Sequence, residues 1–210
     1  MAQVKICGLK TPQDIAAAVG AGAQYTGFVF FPKSPRAVSV DQARDLAGHV
    51  PTGVMRVGLF VDPDDALLDQ TLATVPLDMI QLHGKETPDR VAQVKSRFGL
   101  PVMKAMGIAS SADLDQIWDY GLTADMLLVD AKPPRDAELP GGNGLAFDWR
   151  LLIGRRFLKP WLLAGGLNPD NVAQAIRLTG APGVDVSSGV ESAPGTKDPD
   201  LIRAFVRAAA

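Results

Sequence analysis

The chain has 210 residues, of which 47% are hydrophobic, and its 21 Lys and Arg nearly balance 23 Asp and Glu. The formal net charge of -2 excludes the general positive field with which a protein grips nucleic acid or an anionic membrane surface. The single cysteine excludes an internal disulfide. Because neither a signal peptide nor a run of roughly 20 apolar residues is visible, we expect a soluble, cytoplasmic protein.

Short β-rich runs recur along the chain and predict eight strands, at 3–7, 25–31, 54–60, 77–83, 101–106, 125–131, 160–166 and 183–188. Between them, apolar residues recur at helical spacing, as Ile15 and Val19 do. Strict alternation of strand and helix indicates a parallel sheet. Eight units without a break in composition predict one catalytic domain over residues 1–210, a closed α/β barrel of eight parallel strands (a TIM barrel). An open doubly wound sheet is the alternative.

Helix starts are marked by a capping residue followed by proline. The side-chain oxygen of the capping residue accepts a hydrogen bond from an early helix amide. Proline lacks a backbone N–H, but at the first helical position that N–H would have no partner within the helix. The pairs are Thr11-Pro12, Asp62-Pro63, Thr87-Pro88, Asn168-Pro169 and Asp198-Pro199. Ser39 with Gln42 three residues on predicts a capping box at a sixth helix.

One insertion interrupts this regular pattern after the sixth strand. The segment AKPPRDAELPGGNGLAF, residues 131–147, is rich in Pro and Gly and predicts an irregular loop. A loop at this end of a barrel could cover a site.

Polar side chains collect toward the C-terminal ends of the strands. Since side chains alternate across a strand, Lys5 shares the interior face with Cys7, and Gln81 shares it with His83. Barrels of this architecture place their chemistry at that end. The polar residues concerned are Lys5, Cys7, Gln81, His83, Lys104, Asp130, Asp185 and Ser187.

Each of these side chains also has a purely structural interpretation. Cys7 could be a buried free thiol, and His83 a hydrogen-bonded core histidine. Asp130 is more diagnostic, because a buried carboxylate without a partner is costly. Lys5 could be an ion-pair partner, or its ammonium could favour the thiolate of Cys7. With only His49 as a second histidine, no metal site is predicted.

Glycine-rich turns follow the seventh and eighth strands. In a barrel this pair of loops commonly binds phosphate through backbone N–H groups, and Gly165 and Gly166 would let the backbone approach an anion. Ser187, Ser188 and Gly189 could add further donors. The glycines could also serve only to permit tight turns. No dinucleotide fingerprint or P-loop is present, so no cofactor is predicted.

Arg36 follows the second strand, in the loop FFPKSPRAVS at the same end of the barrel. An arginine can hold a carboxylate through two parallel hydrogen bonds, although a single loop arginine is usually only solvated. Taken alone, it does not identify a site.

Seven short motifs, in chain order, carry a family resemblance. They are KICGL, GFVFFPKSPR, IQLHG, LLVDA, GGNGLAFDW, LLAGGLNPDNV and GVDVSSGVE, the last followed by PGTKD. Together they resemble phosphoribosylanthranilate isomerase of tryptophan biosynthesis over nearly the whole chain. That family is a single-domain β/α barrel, in agreement with the strand pattern.

The resemblance implies roles for four residues. Cys7 would be the general base and Asp130 the general acid. Arg36 would hold the anthranilate carboxylate, and Asp185 would help to orient the sugar. The implied reaction is an Amadori rearrangement, in which an acid protonates the furanose ring oxygen and a base removes the C2 proton.

The resemblance also implies where the rest of a phosphosugar substrate would bind. The phosphate would rest against Gly166, Ser188 and Gly189, and Gln81 and His83 would line the pocket. The pattern is compatible with a monomer and with a homodimer.

Two positions depart from the family pattern. Lys10 follows KICGL where Thr is expected, and Asn143 stands in GGNG where Thr or Ser is expected. Both departures affect loop contacts more than the proposed acid and base.

Two rival interpretations stay open from the sequence. Another sugar-phosphate isomerase or epimerase could share the barrel and its phosphate loops, since a fold does not identify a substrate. A non-catalytic sugar-phosphate-binding protein or scaffold is the rival from a different class. Cys7 and Asp130 at strand ends argue against the second.

Overall fold

Eight parallel strands close into a barrel in chain order in a computed structural model that describes residues 2–132, 141, 142, 144 and 146–210. Closure confirms the barrel and excludes the open sheet. The barrel closes where β1 pairs with β8, with Lys5 in register with Asp185. The strands are β1 Gln3–Cys7, β2 Tyr25–Phe30, β3 Met55–Phe60, β4 Met79–Leu82, β5 Val102–Ile108, β6 Met126–Ala131, β7 Trp161–Leu163 and β8 Gly183–Val186.

Helices cover the outside of the barrel and pack on it through one large apolar cluster. They are α1 Pro12–Ala21, α2 Val40–Ala47, α3 Asp65–Thr74, α4 Pro88–Phe98, α5 Ile117–Thr123, α6 Val172–Thr179 and α7 Pro199–Ala208. Short 3-10 helices lie at Ser111–Gln116, Trp149–Leu152 and Ser188–Val190, and β9 Glu191–Ala193 and β10 Thr196–Lys197 form a separate antiparallel hairpin after β8. None of the described helices is long and apolar enough to cross a membrane.

Several helix starts confirm the predicted capping chemistry. At α1, the Thr11 hydroxyl accepts from Asp14 N at 3.1 Å, and Asp14 Oδ2 accepts from Thr11 N at 3.1 Å. Thr87 and Asp198 cap α4 and α7 in the predicted places. Ser39 caps α2 as predicted, but the capping box is incomplete. The side chain of Gln42 donates to Lys10 O and does not bond to the backbone of Ser39.

Two predicted helix starts are wrong by a few residues. At α3 the cap is Asp64, whose carboxylate accepts from Leu67 N at 2.8 Å. Asp62 has a φ of 46° and accepts from Lys85 N at 2.6 Å, so its side chain ties two loops together. Asn168 likewise closes a local turn, accepting from Asp170 N at 2.9 Å, and α6 begins only at Val172. A short polar side chain can satisfy a turn as well as a helix end, which the sequence pattern does not distinguish.

The barrel interior changes character along its axis. Its lower part is an apolar plug of Tyr25, Val57, Met79, Met103, Ala105, Met126, Leu128, Leu162 and Ala164. Above the plug, polar groups appear at the C-terminal ends of the strands. The expectation that Lys104 joins them is wrong: it lies between the inward Met103 and Ala105, faces outward, and pairs with Glu86 at 2.6 Å.

Candidate active site

A cleft at the C-terminal ends of the strands has two arms that meet at Asp130, Asp185, Ser187 and Gly141-Gly142. The apolar arm is lined by Cys7, Val29, Phe31, Ser34, Arg36, Leu59, Val61 and His83. The glycine-rich arm is lined by Ala131, Lys132, Gly144, Ala164, Gly165, Gly166, Leu167, Val186, Ser188 and Gly189. Of the residues to which the family resemblance gives a role, all except Gln81 therefore line one continuous cleft.

Cys7 ends β1 with its side chain in the apolar arm, where it packs with Val29 and Leu59. Burial raises the pKa of the Cys7 thiol, although the positive charges of Lys5 and Lys197 act in the opposite direction. The expectation that Lys5 produces a lowered pKa is therefore not met. The thiol is the dominant form of this side chain at neutral pH.

Lys5 is fully buried below Cys7 and donates to Asp185 Oδ1 at 2.8 Å across the β1–β8 pairing. Burial would lower the pKa of Lys5, but attraction and hydrogen bonding to Asp185 and Cys7 outweigh it and raise the pKa. Lys5 therefore remains an ammonium. It is both the ion-pair partner and the thiolate-favouring charge that the sequence suggested, because Asp185 and Cys7 flank the same Nζ.

Asp130 is the next-to-last residue of β6 and faces His83 across the cleft. Its Oδ1 accepts from Ala131 N at 2.7 Å, and its Oδ2 lies 3.3 Å from His83 Nε2. A Cβ at Gly141 would lie 2.5 Å from His83 Nε2 and 3.0 Å from Asp130 Oδ2. Only glycine fits this close to the His83–Asp130 pair, so the backbone at Gly141 packs directly against it.

Gln81 was expected to line the pocket, but it lies one layer deeper in the barrel, below His83. It is fully buried, does not line the cleft, and its Nε2 donates to His83 Nδ1 at 2.9 Å. Because His83 Nδ1 accepts this bond, a neutral imidazole carries its proton on Nε2, toward Asp130. Gln81 thus orients His83 from below.

The loops after β7 and β8 meet in the glycine-rich arm, as expected. Asn171 Nδ2 donates to Gly166 O at 2.9 Å and braces the first loop. Gly189 packs directly against the carbonyl of Leu167, where a Cβ would overlap that oxygen. The close approach of the two backbones is therefore possible only with glycine at this position.

Arg36 is buried, and a carboxylate already contacts it. Its Nε donates to Glu191 Oε1 at 2.8 Å and its Nη2 to Glu191 Oε2 at 2.9 Å. The residue is only 6% exposed, so the interpretation of Arg36 as a merely solvated loop residue is wrong. Glu191 was missed from the sequence, although it ends the motif GVDVSSGVE.

Lys197, from the motif PGTKD, completes this network. Its Nζ donates to Glu191 Oε1 at 2.7 Å and to Ser187 O at 2.9 Å, and Ser187 Oγ donates to Cys7 O at 3.1 Å. Burial alone would raise the pKa of Glu191, but the hydrogen bonds and charges of Arg36 and Lys197 lower it to about 2. Glu191 is therefore a permanent carboxylate in the neutral range.

The irregular segment after β6 falls partly outside the described residues, which omit residues 133–140, Asn143 and Leu145. The predicted covering loop and the departure at Asn143 belong to that part. The departure at Lys10 lies beside the site, where Lys10 Nζ donates to Pro35 O at 3.0 Å and braces the Arg36 loop.

Comparisons with known proteins agree with this geometry. A profile of the N-(5'phosphoribosyl)anthranilate (PRA) isomerase family matches residues 4–208. N-(5'-phosphoribosyl)anthranilate isomerase of Paracoccus denitrificans (strain Pd 1222) is 73% identical over 203 residues, which cover 97% of this chain and 94% of the relative.

Two solved structures share the fold over the whole chain. One is phosphoribosyl anthranilate isomerase in complex with reduced 1-(o-carboxyphenylamino)-1-deoxyribulose 5-phosphate, with a TM-score of 0.86 and 36% identity, covering 100% of this chain and 98% of the other. The other is described as mutually generated monomers of the dimeric enzyme from Thermotoga maritima, with a TM-score of 0.86, 37% identity and the same coverage.

Proposed function

This chain belongs to the N-(5'-phosphoribosyl)anthranilate isomerase family, and from that premise we propose that its cleft works by general acid-base catalysis, with Cys7 as the base and Asp130 as the acid. The reaction is the Amadori rearrangement of N-(5-phosphoribosyl)anthranilate to 1-(2-carboxyphenylamino)-1-deoxyribulose 5-phosphate in tryptophan biosynthesis. The observation that carries the proposal is that Cys7 and Asp130 line one cleft whose two ends suit the two ends of this substrate.

The two arms divide the substrate by its chemistry. The aromatic ring occupies the apolar arm, against Val29 and Leu59, with its carboxylate on Arg36. The phosphate occupies the glycine-rich arm, against the backbone of Gly166 and the Ser188-Gly189 turn. The ribose then lies at the junction of the arms, next to the proposed acid and base.

Asp130 acts first. It gives its proton to the furanose ring oxygen while the bond from that oxygen to C1 breaks and the nitrogen lone pair forms a C1=N Schiff base. To act as an acid, Asp130 must hold a proton in the bound complex, and the His83 Nε2–H that faces its Oδ2 at 3.3 Å helps to orient the carboxyl group.

Cys7 acts second. Its thiolate removes the C2 proton, and the electron pair of that C–H bond forms a C1=C2 double bond while the π pair of the C1=N bond returns to nitrogen. The resulting enolamine then tautomerises to the ketone. The nearby Lys5 ammonium, with Lys197 behind it, stabilises the thiolate against the cost of burial. Asp185, held by Lys5, faces the junction of the arms and orients the sugar hydroxyls.

The proposal extends to partners and location. The partner is a small phosphosugar rather than a nucleic acid or a membrane, the location is cytoplasmic, and the assembly is a monomer or a homodimer. The Thermotoga maritima relative described as dimeric supports including the homodimer. The catalytic unit is the single domain of residues 1–210.

The acid and base roles are tested by Cys7→Ala and Asp130→Asn. We expect each variant to lower kcat by at least about 100-fold, the usual contribution of acid or base catalysis. Turnover is measured as the loss of substrate fluorescence with freshly made phosphoribosylanthranilate.

Asp125→Asn is the matched control. Asp125 directly precedes β6, at the end of the strand opposite Asp130, and pairs with Lys95 at 2.6 Å outside the cleft. We expect its kcat to stay within a few-fold of the parent. A folded Cys7→Ala variant with parental turnover would show that the thiol only fills space.

A further inference from the structure

Glu191 is saturated by the protein itself. Its two oxygens accept from Arg36 Nε at 2.8 Å, Arg36 Nη2 at 2.9 Å, Lys197 Nζ at 2.7 Å and Gly195 N at 3.1 Å. A carboxylate has about four acceptor sites, so these bonds use its whole capacity. Glu191 therefore has none left for a ligand, and its role is exerted through the groups that it holds.

Arg36, by contrast, lines the apolar arm, and one edge of its guanidinium has no carboxylate partner among the described residues, although Gly142 packs against its Nη1. Glu191 takes the side formed by Nε and Nη2, and the other Nη2 contact is a long one to Gly142 O at 3.4 Å. Within the described part of the chain, no hydrogen bond involves Nη1. The Nη1–Nη2 edge is the geometry in which arginine binds a second carboxylate through two parallel bonds.

Lys197 restores the charge that Glu191 would otherwise cancel. Its Nζ has three acceptors within hydrogen-bond distance, Glu191 Oε1 at 2.7 Å, Ser187 O at 2.9 Å and Ser187 Oγ at 3.3 Å, as an ammonium with three donors requires. Burial lowers the pKa of Lys197, and its attraction and hydrogen bond to Glu191 oppose that shift. With Lys197 as an ammonium, Arg36 and Lys197 carry two positive charges against one negative charge on Glu191. The network keeps a net charge of about +1 for an incoming carboxylate.

The hairpin of β9 and β10 carries both Glu191 and Lys197, and it also contacts the loop that carries Arg36. Glu191 begins β9 and Lys197 ends β10. Gly195, between the two strands, lies against the carbonyl of Pro35, directly before Arg36. The hairpin is thus a frame for the Arg36 loop.

We propose that Glu191 and Lys197 are positioning residues that aim the Nη1–Nη2 edge of Arg36 at the carboxylate of the substrate, so that this hairpin determines selectivity for the carboxylated ring. The inference rests on the proposed role of Arg36. It adds that the arginine is effective only in the orientation and net charge that the hairpin gives it.

The test compares two ligands that differ only in the carboxylate. Reduced 1-(o-carboxyphenylamino)-1-deoxyribulose 5-phosphate and its phenylamino counterpart without the carboxylate are titrated by calorimetry into the parent and into Glu191→Gln. We expect Glu191→Gln to weaken binding of the carboxylated compound by about tenfold or more, the scale of one charge-assisted hydrogen bond. Binding of the other compound stays within about twofold, a change too small to represent a lost contact. In turnover, KM rises more than kcat falls.

Control variants separate positioning from a general loss of structure. Glu86→Gln removes a carboxylate of similar burial from the Lys104 pair outside the cleft, and we expect it to change the two affinities equally or not at all. Glu191→Asp keeps the charge at shorter reach and should recover part of the selectivity. If Glu191→Gln does not fold, Lys197→Met tests the network from its other member. It removes a hydrogen bond that holds Glu191 Oε1 and lowers the net charge beside Arg36, so we expect it to weaken binding of the carboxylated compound selectively.

The outcomes are distinct. Equal weakening of both ligands by Glu191→Gln, or no weakening, overturns the positioning role. Arg36→Met serves to test the premise. If it leaves the preference for the carboxylated ligand intact, the proposed function of Arg36 fails. If Arg36→Met abolishes that preference while Glu191→Gln and Lys197→Met retain it, only the present inference fails.

Discussion

Cys7 lies at the mouth of the barrel among groups that act on its thiol in opposite directions. Burial and the charge of Asp185 disfavour the thiolate, whereas Lys5 and Lys197 favour it. The balance leaves the pKa raised, so the free enzyme holds a thiol, not a preformed base. The thiolate, which is the proposed base, is then a minor population whose size depends on pH.

The raised pKa of Cys7 can be tested by titrating its thiol directly. Because Cys7 is the only cysteine, the ultraviolet absorbance of its thiolate can be followed against a Cys7→Ala blank. We expect a midpoint above about 8.5, the value of an unperturbed thiol. Since kcat/KM reports the free enzyme, it should rise with pH through the neutral range as the thiolate fraction grows. A midpoint below that of a free thiol would show that the two lysines overcome burial.

Polar residues outside the cleft also act at the residue scale. Gln81 fixes the orientation of His83 from the layer below, and Glu191 fixes that of Arg36 from the side. Neither contacts the open cleft directly through a free polar group. The cleft therefore depends on a supporting layer of residues. These residues lie within the sequence motifs, but the motifs do not distinguish them from residues that bind the ligand.

At the scale of elements, the local signals for helix starts were correct where the capping residue has no competing partner. Thr11 and Thr87 cap the helices that follow them, because the nearest donors are the amides of the next turn. Asp62 fails as a cap because Lys85 N, in the next loop of the barrel, lies 2.6 Å from its carboxylate. That donor is 23 residues away in sequence and becomes a neighbour only when β3 and β4 pair.

The cap of α1 provides a measurable contribution to stability. Thr11→Ala removes one half of a reciprocal capping box with Asp14, and we expect the free energy of unfolding to fall by about 1 kcal/mol. The measurement is the midpoint of denaturant unfolding at unchanged slope. Thr11→Ser keeps the hydroxyl and should stay close to the parent. Equal losses in both variants would assign the effect to the threonine methyl group instead.

At the scale of the whole molecule, barrel closure brings residues that are far apart in the sequence into buried ion pairs. Lys5 and Asp185 are 180 residues apart, and Arg36 and Glu191 are 155 apart. Both pairs lie at the C-terminal end of the barrel, above the apolar plug. Because these ions are buried, removal of one member leaves its partner as an uncompensated buried charge, which is strongly destabilising.

Low pH should weaken the contacts of Glu191 with Arg36 and Lys197, because protonation removes the negative charge of Glu191. The pKa of Glu191 is about 2 in the folded protein against an ordinary value of 4.5, so the unfolded chain takes up its proton first as pH falls. The stability that Glu191 contributes is therefore present above about pH 5 and is lost as the pH approaches 2. We expect the difference in unfolding free energy between the parent and Glu191→Gln to shrink over that window, as measured by denaturant unfolding at several pH values.

Asp41→Asn, at an exposed position on α2, is the comparison for this experiment. Its difference from the parent should be small throughout the pH window, since surface ion pairs contribute little. A gap between the parent and Glu191→Gln that stays constant from neutral to acid pH would contradict the lowered pKa.

The sequence by itself determined the eight strands, the inward face shared by Lys5 with Cys7 and by Gln81 with His83, and the end of the barrel that holds Cys7, Asp130, Asp185 and the glycine turns. These features depend on the alternation of side chains along a strand and on short motifs, both of which are local. Only the tertiary structure decided the partners: Glu191 for Arg36, Asp185 for Lys5, Gln81 below His83, and the outward position of Lys104. A polar atom binds whichever complementary group lies within about 3 Å, and for a closed barrel those neighbours come from segments that chain order does not place together.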